Sequence, residues 1–462
     1  MKAINDFLLP IVATVNTYLA DYILIFLLIG VGIFYTIRTR FVQIRCFGEG
    51  MKKVFGGISF RGGKNKSGLS SFQALATAIA AQVGTGNIVG ACGAILVGGP
   101  GAIFWMWVIA FFGMATIYAE AVLAQETRVK GEDGSILGGP VYYIKKAFKG
   151  GFGKFLAVFF SIATLLALGF MGSMVQSNSI ASAIHSAVPA IPVWVVGLVL
   201  AALCAFIFLG GIQRIASVAE KIVPFMAVLY LLLSVIVLGV NIKAIPETFA
   251  IIFKYAFAPQ AIIGGTFGMA IKVAISQGAK RGLFSNEAGM GSTPHAHAQA
   301  NVEKPHDQGV VAMIGVFIDT FVVLTMTALV VISTLYTKNG AGIEGLTKNN
   351  LMQAALGTVF GTTAGNILVA VCLTFFAFTT IISWNFFGKQ NVQYLAGKKQ
   401  KATVIVYSIL AVLFIFLGSV FSSDLVWELT DAFNYLMVIP NALALFALSG
   451  MVVSAVKARK KK

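Results

Sequence analysis

The chain has 462 residues, of which 58% are hydrophobic and only 11% are charged. Soluble proteins carry about 25% charged residues, and a soluble domain of this size could not cover so much apolar surface with so few polar groups. This composition excludes an ordinary soluble globular protein and predicts that a lipid bilayer surrounds most of the chain. The formal net charge of +17 would also fit a nucleic-acid-binding protein, so the placement of the charges along the chain has to decide between the two.

Runs of about 20 apolar residues predict helices that span a membrane. Eleven such segments follow one another, with approximate bounds 20–38, 70–97, 102–127, 152–184, 192–211, 216–241, 262–299, 308–336, 360–388, 402–421 and 430–456. No small-residue cleavage site follows the first apolar run, so we expect the N-terminus to remain in the mature chain. The predicted fold class is therefore an all-α membrane protein with eleven transmembrane helices.

Lysine and arginine are concentrated in alternate loops, which predicts an orientation in the membrane. One set of loops contains 26 of these residues and the opposite set contains 5, while the other 3 lie within the seventh segment. The tail at 457–462 belongs to the basic set. We therefore expect a cytoplasmic C-terminus and an external N-terminus. Termini on opposite sides of the membrane require an odd number of spans, and eleven meets this requirement. Because the excess of lysine and arginine is spread over alternate loops and does not form one basic face, nucleic acid is not expected as a partner.

The second segment is interrupted in its middle by Gly84-Thr85-Gly86-Asn87. Each glycine costs a helix about 1 kcal/mol, and lipid cannot satisfy the backbone groups that an unwound turn exposes. Such a break is tolerated where N–H groups meet a carboxylate and carbonyl groups meet a cation. Close packing of two helices is the alternative reading of a single glycine pair. A dinucleotide-binding loop is excluded, because Val89 stands where the third glycine would be.

The seventh segment is interrupted in the same way, by the glycine-rich and polar stretch from Ser276 to Gly291. Two interrupted segments five spans apart are the pattern of a five-plus-five inverted repeat, with a binding site where the breaks cross. Both helices 2 and 7 are therefore predicted to be discontinuous. One transmembrane domain, 1–462, is expected to comprise an extra N-terminal helix with a basic loop (19–69), two repeats (70–241 and 262–456) and a basic tail (457–462).

Several longer stretches carry a family resemblance over essentially the whole chain. They are Gly84–Asn87, Gly98–Trp107, Tyr118–Ala121, Gly138–Tyr142, Met174–Asn178 and Gly282–Gly289. In these stretches the sequence resembles the alanine or glycine:cation symporter family, within the larger group that has the leucine-transporter fold. The resemblance implies a plasma (inner) membrane location, uptake of alanine or glycine by alternating access, and Na⁺ as the coupling ion, less often H⁺. No cofactor is expected.

The resemblance also implies the residues of a substrate site. These are Thr85, Gly86, Asn87, Gln176, Phe284, Ser285, Asn286, Glu287 and Trp384. The unwound turn would meet the carboxylate, Gln176 would contact the amino acid, and Phe284 and Trp384 would enclose its side chain. From the residues alone, Gln176 could instead join two helices, and Trp384 could belong to the belt of aromatic residues at the membrane surface.

A Na⁺ site is implied by resemblance to the wider fold. Its ligands would be the carbonyl groups of Ala80 and Val83 and the hydroxyl groups of Thr379 and Thr380. Oxygen ligands of this kind suit a hard cation.

The side-chain preference stays open at the sequence level. Phe170 and Met171 are bulky residues ahead of Gln176, and some relatives take a larger substrate. Glutamine or serine in place of alanine, or H⁺ in place of Na⁺, are therefore the alternatives. A channel would differ from a symporter in failing to accumulate substrate against a gradient.

Charged residues inside the segments are expected to pair with one another. Lys280, Arg281 and Glu287 would hold the broken seventh segment together, and Glu120 and Asp319 would likewise form structural pairs. The histidines His295, His297 and His306 are expected at a solvated cytoplasmic end rather than at a metal. A membrane enzyme with its chemistry at these histidines is the remote alternative, because it lacks any visible nucleophile or metal motif.

Overall fold

The computed structural model describes residues 2–56, 69–131, 134–257, 267–397, 400–421 and 423–459. Over these ranges the chain is nearly all helical. Two short strands, β1 (Val129–Lys130) and β2 (Ile136–Leu137), pair antiparallel after the third span. The all-α membrane architecture predicted from the composition is thus confirmed.

Eight helices in the described part of the chain are long and apolar enough to cross a membrane. They are Phe7–Arg38, Ala102–Thr127, Gly150–Ala187, Gly211–Val240, Pro305–Leu335, Thr362–Ala396, Gln400–Val420 and Asp424–Ala447. A ninth span is formed by helices Ser71–Gln82 and Gly86–Gly98, which are bent by 46° at the break between them. The predicted interruption of the second segment is therefore present.

Two more helices lie where the fifth and seventh segments are predicted. Val193–Phe208 has 16 residues, about 24 Å of helix, which is shorter than the roughly 30 Å hydrocarbon core. Phe267–Asn286 has 20 residues but carries Lys272, Lys280 and Arg281. These features explain why neither helix resembles an ordinary span, and the total of eleven is consistent with their positions.

Shorter helices fill the connections between the spans. They are Val42–Arg45, Phe47–Phe55, Pro140–Ala147, Ile245–Phe257, Pro294–His297, Leu351–Phe360 and Ser449–Ala458. Val42–Arg45 and Phe47–Phe55 lie in the predicted basic loop after the first span, and Ser449–Ala458 follows the last span and leads to the basic tail.

The first helix is longer than the sequence predicts. Its predicted bounds are 20–38, whereas the helix begins at Lys2 and continues with a π-helical turn to Arg38. The buried Asn16 side chain secures this extension, because its amide donates to the carbonyl and the carboxylate of Glu428 at 2.7 and 2.6 Å. Polar residues such as Asn16 hide the extension from a reading based on apolar runs.

Some of the spans contain π-helical stretches, in which one turn holds more residues than an α-helical turn. These stretches are Leu19–Leu24, Gly86–Gly90, Leu165–Gly172 and Phe317–Leu324. They lie in the first, second, fourth and eighth spans, all of which contribute side chains near the two breaks.

The break in the seventh segment follows Asn286. Glu287, Gly289 and Gly291 have φ angles of 58°, 92° and 84°, in the left-handed region that stops an α-helix. Helical geometry resumes only at Pro294–His297. The predicted discontinuity is confirmed, and the two breaks pack directly against each other: a Cβ on Gly86 would lie 2.9 Å from the Cα of Ser285.

Candidate functional site

The first break redirects two backbone N–H groups toward side chains. In a continuous helix, the N–H groups of Gly84 and Thr85 would bond to carbonyl groups four residues earlier. Instead, Gly84 N–H donates to Asn87 Oδ1 at 3.0 Å and Thr85 N–H donates to Gln176 Oε1 at 3.1 Å. The carbonyl of Ala80 accepts the hydroxyl of Thr380 at 3.0 Å. The unwound turn thus exposes both donors and acceptors inside the protein.

The residues expected to bind a cation are only partly brought together. Ala80 and Thr380 are in direct contact, and Val83 ends the half-helix with ψ 89°. The Thr379 hydroxyl bonds to carbonyl groups of its own helix and contacts Met226 Sδ at 3.6 Å. An added Cβ on Gly84 would collide with the Thr380 hydroxyl, so the glycine permits the close approach of the two spans.

Gln176 lies against the unwound turn. Its amide oxygen accepts a hydrogen bond from the Thr85 N–H group. This oxygen therefore occupies the position that an oxygen of a bound carboxylate would need. The hydroxyl of Thr85 is buried and has no hydrogen-bond partner among the described residues. A buried polar atom without a partner costs about 1–3 kcal/mol, so this turn is suited to a polar ligand.

Asp319 joins the two breaks. Its carboxylate accepts the Asn87 amide at 2.6 Å and the Ser285 hydroxyl at 3.0 and 3.2 Å. The neighbouring Thr320 hydroxyl donates to the same carboxylate at 2.8 Å. All of these side chains are buried. One acidic residue of the eighth span therefore fixes the second and seventh segments relative to each other.

Asn286 also connects the two breaks, mainly through its backbone. Its carbonyl accepts the Gln82 amide at 2.7 Å, while its side chain bonds to Thr320 Oγ1 at 3.2 Å and to the Ala288 N–H at 3.0 Å. Asn286, the last residue of helix Phe267–Asn286, is thereby attached to the last turn of helix Ser71–Gln82.

Glu287 and Trp384 are in direct contact. The indole N–H of Trp384 donates to Glu287 Oε1 at 2.6 Å, and Ser292 donates to the other carboxylate oxygen. The expected pairing of Glu287 with Lys280 and Arg281 is wrong. The helix ends before Glu287, whose left-handed backbone sends its side chain away from the two basic residues.

Lys280 and Arg281 bond to other spans. Lys280 Nζ lies 3.9 Å from Asp21 of the first span, and Arg281 lies 3.0 Å from Asp431 of the last span. The Arg281 guanidinium also stacks 5.0 Å from the ring centre of Trp427. Both basic residues therefore attach the first half of the seventh segment to its surroundings.

Aromatic rings enclose one end of the site. The ring of Phe284 meets Trp384 edge-on at 6.0 Å and Trp427 at 4.9 Å between ring centres. Phe170, in contrast, packs on Tyr407 and Phe414. Gly172 faces Trp384, and a Cβ there would lie 2.5 Å from the indole ring. The position that limits the space for Trp384 is thus Gly172.

Glu120 holds the second part of the broken seventh segment. Its carboxylate accepts the Gly289 N–H at 3.1 Å and the Asn441 amide at 2.6 Å. Like Asp319, Glu120 serves a structural role through neutral amides and not through a basic partner. These contacts give polar groups of the irregular backbone after Glu287 hydrogen-bond partners within the protein.

The three histidines are buried, which corrects the expectation of a solvated end. His295, His297 and His306 are at most 1% exposed. His295 contacts Asn391, His297 contacts Gln308 and His306 contacts Tyr118, at 2.9, 2.8 and 2.7 Å. The stretch is polar in sequence but packs between spans, where the side-chain amides and the tyrosine supply the polar partners.

Sequence reasoning missed several residues of this site. They are Gln82, Gly172, Asp319 as the connection between the breaks, and Trp427. The available signals were an aspartate inside an apolar run and an amide just before the first break. Neither signal names its partner, because the contacts join residues far apart in the chain.

Comparisons with known proteins identify the family of the chain. The family model described as "Sodium:alanine symporter family" matches residues 5–462. The chain is 42% identical over 449 residues to the sodium/alanine symporter AgcS of Methanococcus maripaludis, which covers 97% of this chain and 96% of that protein. It is 39% identical to the probable sodium/glutamine symporter GlnT of Bacillus subtilis, over 97% of this chain and 90% of that protein.

A solved structure shares the fold. The crystal structure of MhsT in complex with L-phenylalanine superposes with a TM-score of 0.60 at 14% sequence identity. The match covers 85% of this chain and 98% of that chain. The leucine-transporter-like arrangement implied by the sequence is thereby confirmed.

Proposed function

Because the chain belongs to the sodium:alanine symporter family, we propose that it imports a small neutral amino acid together with Na⁺ by alternating access. Alanine is the first candidate and glycine the second. The protein then acts in the plasma (inner) membrane as a transporter and needs no cofactor, since Na⁺ is its coupling ion.

The observation that carries this proposal is the unwound turn at Thr85. Its N–H group is held by the Gln176 amide oxygen, and its buried hydroxyl has no partner among the described residues. A substrate carboxylate would take the Thr85 N–H and hydroxyl groups, and the displaced Gln176 side chain would contact the bound amino acid. The N-terminal end of the following helix favours this negative charge.

The remaining substrate residues are assigned from the second break. Phe284 and Trp384 enclose a small side chain, since their rings already meet edge-on. Gly86, Asn87 and the backbone from Ser285 to Glu287 complete the site. The carbonyl groups of Asn286 and its neighbours provide acceptors for the substrate ammonium group, and the Glu287 carboxyl group lies nearby.

The coupling Na⁺ is placed between the second and ninth spans. The contact between Ala80 O and Thr380 Oγ1 at 3.0 Å supports this position, because both atoms are oxygens and a cation needs several of them. Val83 O and Thr379 Oγ1 are the further ligands, and Thr379 has to turn away from Met226 to take part. Binding of Na⁺ and of substrate would then stabilise the same closed turn and strengthen each other.

Import requires a defined orientation. The distribution of basic residues supports an external N-terminus, a cytoplasmic tail at 457–462, and inverted repeats at 70–241 and 262–456. In this orientation the contact between Arg281 and Asp431 lies on the external side of the breaks and the buried histidines lie on the cytoplasmic side.

The decisive experiment is uptake of radiolabelled alanine into proteoliposomes that contain the purified chain. An inward Na⁺ gradient should drive transient accumulation, and a K⁺ gradient of the same size should not. Accumulation that depends on a proton gradient and not on Na⁺ would show that H⁺ is the coupling ion. Equilibration without accumulation would indicate a passive pathway and overturn the symport proposal.

Competition identifies the substrate. Unlabelled alanine, glycine, serine and glutamine are added in turn to the same assay, and we expect alanine to compete best. The similarity to GlnT makes glutamine the specific alternative. Stronger competition by glutamine than by alanine would mean that the pocket accepts a longer side chain, while the symport mechanism would stand.

A further inference from the structure

A short helix after the first span lies along the start of the eighth span. Helix Phe47–Phe55 approaches so closely that a Cβ on Gly50 would lie 2.7 Å from the carbonyl of Val310. One turn further, Lys53 forms an ion pair with Asp307 at 3.1 Å. This docking is remote from the two breaks and brings chemically active side chains of both helices together.

Cys46, Glu49 and His306 meet at this contact. One ligand atom from each residue lies within 4.8 Å of the other two. Cys46 and His306 are buried, whereas the side chain of Glu49 is 39% exposed. The cluster therefore has two ordered ligands in the interior and one acidic ligand at the entrance from solvent.

His306 is oriented as metal-binding histidines are. Its Nδ1 atom contacts the hydroxyl of Tyr118 at 2.7 Å, which fixes the ring. The other ring nitrogen, Nε2, is buried and has no hydrogen bond of good geometry to any described residue, although Glu49 Oε1 lies 3.2 Å away. Metal-bound histidines use one nitrogen for the ion and the other for such a hydrogen bond.

We propose that Cys46, Glu49 and His306 form a binding site for a transition-metal ion of the Zn²⁺ class. Zinc takes Cys sulfur at about 2.3 Å and His nitrogen or carboxylate oxygen at about 2.0–2.2 Å. In a tetrahedral site, those bond lengths place nitrogen and oxygen about 3.4 Å apart. The observed 3.2 Å between His306 Nε2 and Glu49 Oε1 fits this spacing.

The donor set distinguishes this site from that of the coupling cation. A thiolate and an imidazole are soft or borderline ligands, which favour Zn²⁺ over Na⁺, Mg²⁺ or Ca²⁺. Three protein ligands leave a fourth position for water. The site is therefore a second, chemically different metal site in the same chain.

Metal binding at Cys46 competes with the end of the chain. The guanidinium of Arg459, just after the last helix Ser449–Ala458, donates to the Cys46 sulfur. A metal ion bound to the thiolate displaces this positive group. Zn²⁺ would thus clamp helix Phe47–Phe55 to the eighth span and at the same time release the Arg459 side chain.

The test is titration of the purified full-length chain with Co²⁺, a spectroscopic substitute for Zn²⁺. We expect one Co²⁺ per chain, a thiolate-to-cobalt charge-transfer band and displacement by Zn²⁺. Cys46→Ser should remove the band, and His306→Gln should weaken binding at least tenfold. Cys204→Ser is the matched control, because Cys204 is also a free, buried cysteine but lies in the fifth segment.

Two further variants guard against misfolding. Glu49→Gln changes a partly exposed side chain and should weaken Co²⁺ binding while the melting temperature of the metal-free protein is unchanged. Tyr118→Phe should keep the band but lower the affinity about tenfold, as loss of a hydrogen bond to a ligating histidine does. A band that persists in Cys46→Ser, or equal Zn²⁺ binding by wild type and Glu49→Gln, would overturn the proposal.

Discussion

A single side-chain amide completes the hydrogen bonding of the first break. Gln176 belongs to the fourth span, yet its oxygen accepts the backbone N–H of Thr85 in the second. An amide buried in a membrane span is costly unless it is paired, and here the pairing partner is the turn assigned to the substrate. Substitution of Gln176 can therefore distinguish whether this residue contacts the substrate or only packs two helices together.

Replacing Gln176 with alanine should lower alanine uptake about tenfold or more. A hydrogen bond to a charged group is worth about 1.5–3 kcal/mol, and 1.4 kcal/mol corresponds to a factor of ten in affinity. The measurement is the KM for Na⁺-driven uptake at matched expression.

Gln353→Ala is the control for that substitution. Gln353 is equally buried but bonds to Ser186 and Ala183, away from the breaks. If both variants, or neither, changed the KM, the assignment of Gln176 to the substrate would be wrong.

Gly172 sets the position of the Trp384 ring. A methyl group at this position would lie 2.5 Å from the indole of Trp384 and 2.5 Å from the carbonyl oxygen of Ala167, so Gly172→Ala should displace both the ring and the local backbone and narrow the pocket. We expect the KM for alanine to rise more than the KM for glycine. Gly239→Ala is the control, since a Cβ there meets nothing within 4 Å. An equal rise for both substrates would show general damage and not a change of pocket size.

At the scale of whole elements, the two broken helices act as one unit because other spans tie them together. Asp319 of the eighth span accepts hydrogen bonds from Asn87 and Ser285, and Thr327 donates to the carbonyl of Asn87 at 2.7 Å. Such a network is stable only when each member has a partner. The eighth span thus holds the site in shape even though it was not predicted to belong to it.

Asp319→Asn should disable transport and destabilise the protein. Asparagine keeps one acceptor oxygen and replaces the other with an NH₂ group, so either the Asn87 amide or the Ser285 and Thr320 hydroxyls would lose their acceptor. Each unsatisfied buried group costs about 1–3 kcal/mol. We expect at least a tenfold loss of uptake and a lower melting temperature by intrinsic fluorescence.

Asp424→Asn provides the comparison for Asp319→Asn. Asp424 lies 3.6 Å from Lys348 with its side chain 71% exposed, and exposed ion pairs contribute about 0–1 kcal/mol. This variant should behave as wild type. A normal melting temperature and normal uptake in Asp319→Asn would refute the role of Asp319 as the link between the breaks.

At the scale of the whole molecule, the charge distribution predicts which loops face the cytoplasm. Cysteine labelling in intact cells tests this, since the four natural cysteines are buried. A membrane-impermeant maleimide should label Asn339→Cys directly and Lys146→Cys only after permeabilisation. Both positions are exposed. The opposite labelling pattern would reverse the proposed orientation.

Local features of the fold were predictable from the sequence, and long-range contacts were not. The third segment has its predicted bounds, Ala102–Thr127, and the break at Gly84 lies where glycines interrupt an apolar run. In contrast, Asn87 and Asp319 are 232 positions apart, and Arg281 finds Asp431 across 150 positions. Hydrophobicity and helix propensity are properties of short windows, so they locate elements without naming the partners of buried polar residues.

The π-helical stretch Leu165–Gly172 has a consequence for the direction of Gln176. Each residue of an α-helix turns the chain by about 100°, and a π-helical turn accommodates one extra residue. Deleting one residue between 165 and 172 should therefore rotate Gln176 by about 100° away from Thr85 and abolish uptake as Gln176→Ala does. The number of residues in this stretch therefore sets the direction of the Gln176 side chain. A relative that has every site residue but one residue fewer in the stretch would have an incomplete site.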